Sequence, residues 1–218
     1  LGVLLPLRVA FAQSPDAHVR RELANGLRFQ ASDKFNGKRE LTIALAQDPD
    51  ATVRAAAVGA FSDYRDDQQI MHGVAGQIDR DPSPEVQAAC INALALAHHH
   101  GMAELVLTVF EKHTANPNRE VKKEIAQSIH WLPKEHFQRS WGIVQRMFAD
   151  ADEEVRRSMA FQFANLSEQP QFLAMAQQVA QNDPSPEVRY EAIGGMAALM
   201  KPEQAAAMYA QLLGSDTS

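Results

Sequence analysis

A chain of 218 residues with 45% hydrophobic content can bury one large core or two small ones without covalent staples. Its 21 Lys and Arg against 27 Asp and Glu leave a net charge of −6, which weighs against a dedicated nucleic-acid binder. The single cysteine, Cys90, excludes a disulfide framework and every multi-cysteine metal or iron–sulfur site.

The opening run from Leu1 to Gln13 is apolar and ends in Ala10-Phe11-Ala12. It reads either as the hydrophobic region and cleavage site of a secretory signal or as a first helix. No Met or basic leader precedes it and Arg8 lies inside it, which favours the helix; the abrupt start is that expected of a fragment of a longer chain.

From there one phrase recurs six times. It stands as Ser14-Pro15-Asp16-Ala17-His18-Val19-Arg20, Asp48-Pro49-Asp50-Ala51-Thr52-Val53-Arg54 and Asp81-Pro82-Ser83-Pro84-Glu85-Val86-Gln87. It returns as Asn116-Pro117-Asn118-Arg119-Glu120-Val121-Lys122, Asp150-Ala151-Asp152-Glu153-Glu154-Val155-Arg156 and Asp183-Pro184-Ser185-Pro186-Glu187-Val188-Arg189. The valines at 19, 53, 86, 121, 155 and 188 are separated by 34, 33, 35, 34 and 33 residues. Chance does not hold such a register.

Each phrase is a helix start. Asp16, Asp50, Ser83, Asn118, Asp152 and Ser185 are N-cap types whose side-chain oxygens accept the free amide protons of a first turn. Pro84 and Pro186 follow at the first helical position, where a missing N–H is harmless. Counting from each valine, apolar residues recur at the fourth and eighth positions beyond it: Val19/Leu23/Leu27, Val53/Ala57/Phe61, Val86/Cys90/Leu94, Val121/Ile125/Ile129, Val155/Met159/Phe163 and Val188/Ala192/Met196. That spacing is one buried helical stripe.

Ahead of each phrase lies another amphipathic segment, near 3–13, 39–47, 69–79, 102–114, 136–148 and 171–181. A last one, 202–213, opens at Lys201-Pro202-Glu203 and is expected to cover the end of the stack. The expectation is a single domain over 1–218, with units at 1–29, 39–62, 69–97, 102–131, 136–166 and 171–199 and a terminal helix.

The tetratricopeptide and ankyrin signatures are absent. The phrase resembles the turn of the short HEAT-like repeats of the phycobilin-lyase type, over about residues 3–213. That resemblance implies an all-α, right-handed α-solenoid. It also implies that the acids at 48, 81, 150 and 183 and the bases at 20, 54, 122, 156 and 189 form ladders between units, with Gln87, Ser14 and Asn116 as exceptions. On function it is nearly silent, because such repeats serve scaffolds, adaptors, lyases, an iron hydroxylase and DNA glycosylases.

The chemistry of those relatives finds little footing. Deoxyhypusine hydroxylase holds iron through His-Glu pairs at the starts of second helices; here the matching pairs read Arg21-Glu22, Ala55-Ala56, Ala88-Ala89, Lys123-Glu124, Arg157-Ser158 and Tyr190-Glu191, without a histidine. His98-His99-His100 closes a helix before Gly101, and adjacent helical residues point in different directions, so the run reads as a solvated helix end. Histidines 18, 72, 113, 130 and 136 lack ligand spacing. No nucleophile elbow or phosphate loop occurs, and Cys90 occupies a core stripe position. Basic residues of units four to six are interleaved with glutamates, unlike a groove built for phosphates.

Positions two, six and nine or ten beyond each valine face away from the stripe and should line the concave surface that solenoids use for recognition. Units two and three place small residues there: Ala55, Gly59 and Ser62, then Ala88, Asn92 and Leu96. Units four to six place Lys123, Gln127, Trp131, Arg157, Phe161, Asn165 and Tyr190, which are the expected partner contacts. Exposed aromatics beside Arg and Asn are what binding hot spots look like; packing of Trp131 and Tyr190 against neighbouring helices is the competing expectation. The sequence reading is a non-catalytic, cytoplasmic scaffold or adaptor for a protein or peptide partner, with no cofactor, metal or membrane span. A tetrapyrrole-handling enzyme or subunit like the phycobilin lyases is the alternative, and a DNA-binding relative of the glycosylases the third.

Overall fold

The computed structural model describes residues 4–29, 37–132, 134–166 and 170–197, together with 203 and 206. Within these, twelve α-helices follow one another with no strand. The first helices of the pairs are α1 (Leu4–Ala12), α3 (Lys38–Leu45), α5 (Gln68–Arg80), α7 (Ala103–His113), α9 (Phe137–Phe148) and α11 (Pro170–Asn182). The second helices are α2 (Ala17–Arg28), α4 (Ala51–Ala60), α6 (Pro84–Ala95), α8 (Arg119–Ser128), α10 (Glu153–Phe161) and α12 (Pro186–Ala197). All twelve coincide with the segments expected from the phrase and its upstream partner. The terminal helix expected at 202–213 lies outside the described residues, apart from 203 and 206, which are helical.

The caps work as their side chains dictate, with one correction. Asp16, Asp50, Asn118 and Asp152 accept amide protons two residues on, and Asp50 also takes that of Val53. The Ser185 hydroxyl receives the Val188 amide at 3.5 Å. Ser83 makes no side-chain capping bond. Its own N–H is instead bound by Asp81, and Pro84 behind it removes one donor that would need a cap.

Four second helices tighten into 3-10 turns as they end, at Phe61–Tyr64, Leu96–His100, Ile129–Trp131 and Gln162–Asn165. Bonds of the i→i+3 type satisfy the last carbonyls while steering the chain towards the next unit. The turn at 96–100 stops at Gly101, whose φ of 77° is readily reached only without a Cβ.

Packing follows the stripe. All eighteen triad positions are buried except Val19 and Leu23, which are half-buried. They belong to the first described unit. The second helices form a closely packed layer, α2 on α4 on α6 on α8 on α10 on α12, whereas the first helices touch their counterparts more sparsely. A stack packed tightly on one layer and loosely on the other curves, with the tight layer inside. The second helices therefore line the concave side. At Gly195 the approach is so close that a Cβ would lie 2.7 Å from that of Phe163.

The ladder runs from each unit to the next. Arg20 grips Asp48 with two bonds of 2.7 and 2.8 Å, Arg54 grips Asp81 at 2.7 Å, and Arg156 grips Asp183 at 2.8 and 3.1 Å. Lys122 reaches Asp150 with one bond of 2.6 Å. Each arginine turns its third nitrogen back to carbonyls at the start of its own phrase, as Arg54 does to Asp48 and Pro49. Each acid also fixes the amide two residues on, as Asp48 does for Asp50 at 2.9 Å. One rung thus binds the previous unit, its own turn and the following helix start.

Two of the three exceptions in the sequence turn out to be partners. Asn116 donates to Gln87 at 3.4 Å, so the third rung survives as a pair of neutral amides. Gln87 keeps the other half of the arginine's task by donating to the Asp81 carbonyl at 2.8 Å. The first helices carry a second, unforeseen set of links: Arg39 to Asp67, Lys112 to Asp79, and Arg139 to both Glu111 and Glu104.

Candidate functional site

The stripe that buries one side of each second helix leaves the opposite arc open on the concave side. Four aromatic residues stand exposed on that layer: Trp131 at 43%, Phe161 at 62%, Tyr190 at 73% and Phe29 at 83%. Trp131 ends the turn after α8, Phe161 ends α10, and Tyr190 lies in the second turn of α12. Because α10 packs between α8 and α12, and the 129–131 and 162–165 turns touch, these three rings follow one another across neighbouring units. The other tryptophan, Trp141, shows what a packed ring looks like here, lying 5.2 Å from Phe172 and 6.2 Å from Phe137. The packed alternative for Trp131 and Tyr190 is not what the structure shows.

The polar members of the expected set surround these rings. Lys123 is half-buried with its ammonium 3.3 Å from Glu120, and the exposed Arg157 lies 3.5 Å from Glu154. Asn165 is exposed and donates to Gln162 at 3.0 Å, while Gln127 is exposed one turn before Trp131. Beneath Trp131 the His130 ring lies at 4.5 Å; burial pushes its pKa down, so the neutral form is favoured.

Units two and three differ in kind. Ala55, Gly59, Ser62, Ala88 and Leu96 are all half-buried, and Asn92 spends its amide on Glu124 of the next unit at 2.6 Å. The floor is flat and closed there. Phe29, the most exposed ring, stands ten residues beyond Val19 in the same columns, apart from the cluster of units four to six.

The remaining candidates resolve into structure. His98 is buried and its Nδ1 lies 2.6 Å from the Ala95 carbonyl, with the His99 ring at 3.6 Å; only His99 and His100 are exposed. The expectation of a wholly solvated run is corrected at His98, which the 3-10 turn winds inward. Burial lowers its pKa. Cys90 is fully buried, which pushes its thiol far above the ordinary range. Among the described residues no three His, Cys, Asp or Glu side chains are grouped to hold a metal ion. No described helix is long and apolar enough to cross a membrane. On the first-helix layer, Arg39, Ile43, Gln69 and Arg80 border an open groove of about 230 Å³ between α3 and α5.

Helical pairs stacked by inter-unit rungs, with one varied face, define a helical-repeat solenoid. Residues 142–218 match the family described as HEAT repeats. A designed armadillo repeat protein in complex with the peptide (KR)4 shares the fold with a TM-score of 0.56 at 18% identity, covering 90% of this chain and 99% of that one. A computationally designed armadillo repeat protein for modular peptide recognition gives 0.51 at 18% identity, over 90% and 100% of the two chains. An engineered protein gives 0.57 at 14% identity, over 88% and 96%. At such identities the likeness is one of fold. No curated protein matches the chain. The C-terminal third thus carries the HEAT-repeat match, and the described chain as a whole has the fold of an all-α helical-repeat solenoid.

Proposed function

We propose that the protein is a non-catalytic scaffold that holds an extended segment of a partner protein along its concave face. The carrying observation is that three exposed aromatic rings, Trp131, Phe161 and Tyr190, succeed one another on adjacent second helices. Exposed rings flanked by hydrogen-bonding side chains are the common anchors of protein recognition. Lys123, Gln127, Arg157 and Asn165 supply those flanks. Designed repeat proteins of the same fold, one in complex with the peptide (KR)4 and one made for modular peptide recognition, support the reading. One continuous stack over residues 1–218 and a cytoplasmic setting belong to the same proposal.

A pull-down from the native host with the whole chain as bait tests it. Replacing Phe161 and Tyr190 together by Ala should remove the captured partner at least ten-fold while the far-ultraviolet spectrum stays helical. Capture that survives the double substitution overturns the proposal.

A further inference from the structure

The exposed aromatic face needs an occupant, and its charge says which. Setting the ladder cations aside, α6, α8, α10 and α12 carry seven carboxylates and three cations. The cations are Arg119, Lys123 and Arg157, and each is engaged on its own helix. Arg119 and Lys123 both lie 3.3 Å from Glu120, and Arg157 lies 3.5 Å from Glu154. The three cations thus share two of these seven carboxylates, and Arg119 also lies 4.0 Å from Asp152 of the next unit. Glu85, Glu124, Glu153, Glu187 and Glu191 are left with no ion pair within the described residues; Glu124 accepts from Asn92, and Glu187 from Ser185. Glu85, Glu153 and Glu187 are exposed, one on each of three second helices. These acids open their helices, whereas Trp131 and Phe161 close theirs and Tyr190 stands one turn beyond Glu187; aromatic faces are electron-rich and attract cations.

Resting on the concave-face reading, we infer that the bound segment is an extended, cationic stretch of polypeptide, with Lys or Arg interleaved among apolar residues. Its cationic heads lie against the unpaired carboxylates and its stems and apolar residues against Trp131, Phe161 and Tyr190. Neighbouring helices in such a stack lie about 10 Å apart, which is roughly three residues of extended chain. One cation per three residues therefore keeps step with the units. In this arrangement Arg157 opposes the ligand's charge, so its role is to hold Glu154 and set the edge of the site.

The test is fluorescence anisotropy with the whole chain and three labelled peptides of about twelve residues. They repeat Lys-Ser-Leu, Gln-Ser-Leu or Glu-Ser-Leu, and a single-stranded oligothymidylate of similar length forms a fourth arm. The Lys peptide should bind at least ten-fold more tightly than the Gln peptide, and more weakly as salt is raised. The Glu peptide and the oligonucleotide should not bind. Glu153→Gln with Glu187→Gln should weaken the Lys peptide several-fold, and Arg157→Gln should tighten it about two- to five-fold. Binding of the Glu peptide or of the oligonucleotide in its place, or weakening by Arg157→Gln, overturns the inference. If the Glu peptide binds and Phe161→Ala abolishes it, the concave-face reading stands without the charge assignment. If no peptide binds, or the Lys peptide ignores Phe161→Ala with Tyr190→Ala, that reading falls as well.

Discussion

Along the edge that carries the ladder, successive units repeat one device; along the concave face, the residues change from small in units two and three to aromatic in units four to six. The edge rungs differ only in whether they are charged, and all of them tie a base or amide to an acid or amide about 28 residues on. The face passes from Phe29 through Ala55 and Ala88 to Trp131, Phe161 and Tyr190. A stack of pairs is held by interfaces between neighbours, so the edge cannot vary without loosening a joint. The face is free of that duty and can be specialised.

The sharpest way to break this contrast is at the edge. Asp81→Ala leaves the Arg54 guanidinium, only 13% exposed, without its anionic partner, and should cost about 3–5 kcal/mol of stability. Asn116→Ala removes a neutral bond at the matching place and should cost about 1 kcal/mol. Denaturant unfolding followed by circular dichroism measures both; equal losses would mean that charge does not hold the edge.

Acid should act on the same rungs more gradually. The Arg20 hydrogen bond holds the Asp48 carboxyl below its ordinary range. Burial alone would raise Asp81, but its bonds from Arg54 and the Ser83 amide outweigh this and the net shift is also downward. Carboxylates depressed in the folded state stabilise it fully above their unfolded pKa of about 3.9, and that contribution fades as pH falls through the lower, folded value. The denaturation midpoint should therefore stay level from about pH 7 to 5 and drop below about 4. An Asp81→Asn variant should drop less steeply; a parallel decline would remove Asp81 from the account.

On the face the expected stability effect is smallest. Phe161→Ala deletes an exposed ring and should change stability by no more than about 0.5 kcal/mol. A loss of 2 kcal/mol or more, measured in the same way, would show that Phe161 belongs to the packing.

The fold could be read from the sequence because its signals are local. The caps, the proline after Ser83 and the valine stripe each act within one helix and mark the six second helices, while the amphipathic segments ahead of each phrase mark the six first ones. The rungs were readable only as columns. Gln87 and Asn116 looked like two lapses because their pairing crosses units, though their offset of 29 residues matches the 27 or 28 of the other rungs. The links of Arg39, Lys112 and Arg139 gave no warning, since the first helices carry no recurring phrase against which a partner could be aligned. The seven expected face residues emerged from helical geometry. The excess of acid around them did not, because it depends on which glutamate each cation chooses.

The amide rung changes its standing with conditions. At neutral pH it is the plainest of the polar joints, a single long bond where its neighbours have short ionic ones. Neither amide titrates, and salt screens nothing in it. As acid discharges Asp81, the seam between units two and three loses its ionic grip while the seam between units three and four keeps its contact. Between those two neighbouring seams protons reverse the order of failure, and the amide joint changes from the weaker link to the longer hold.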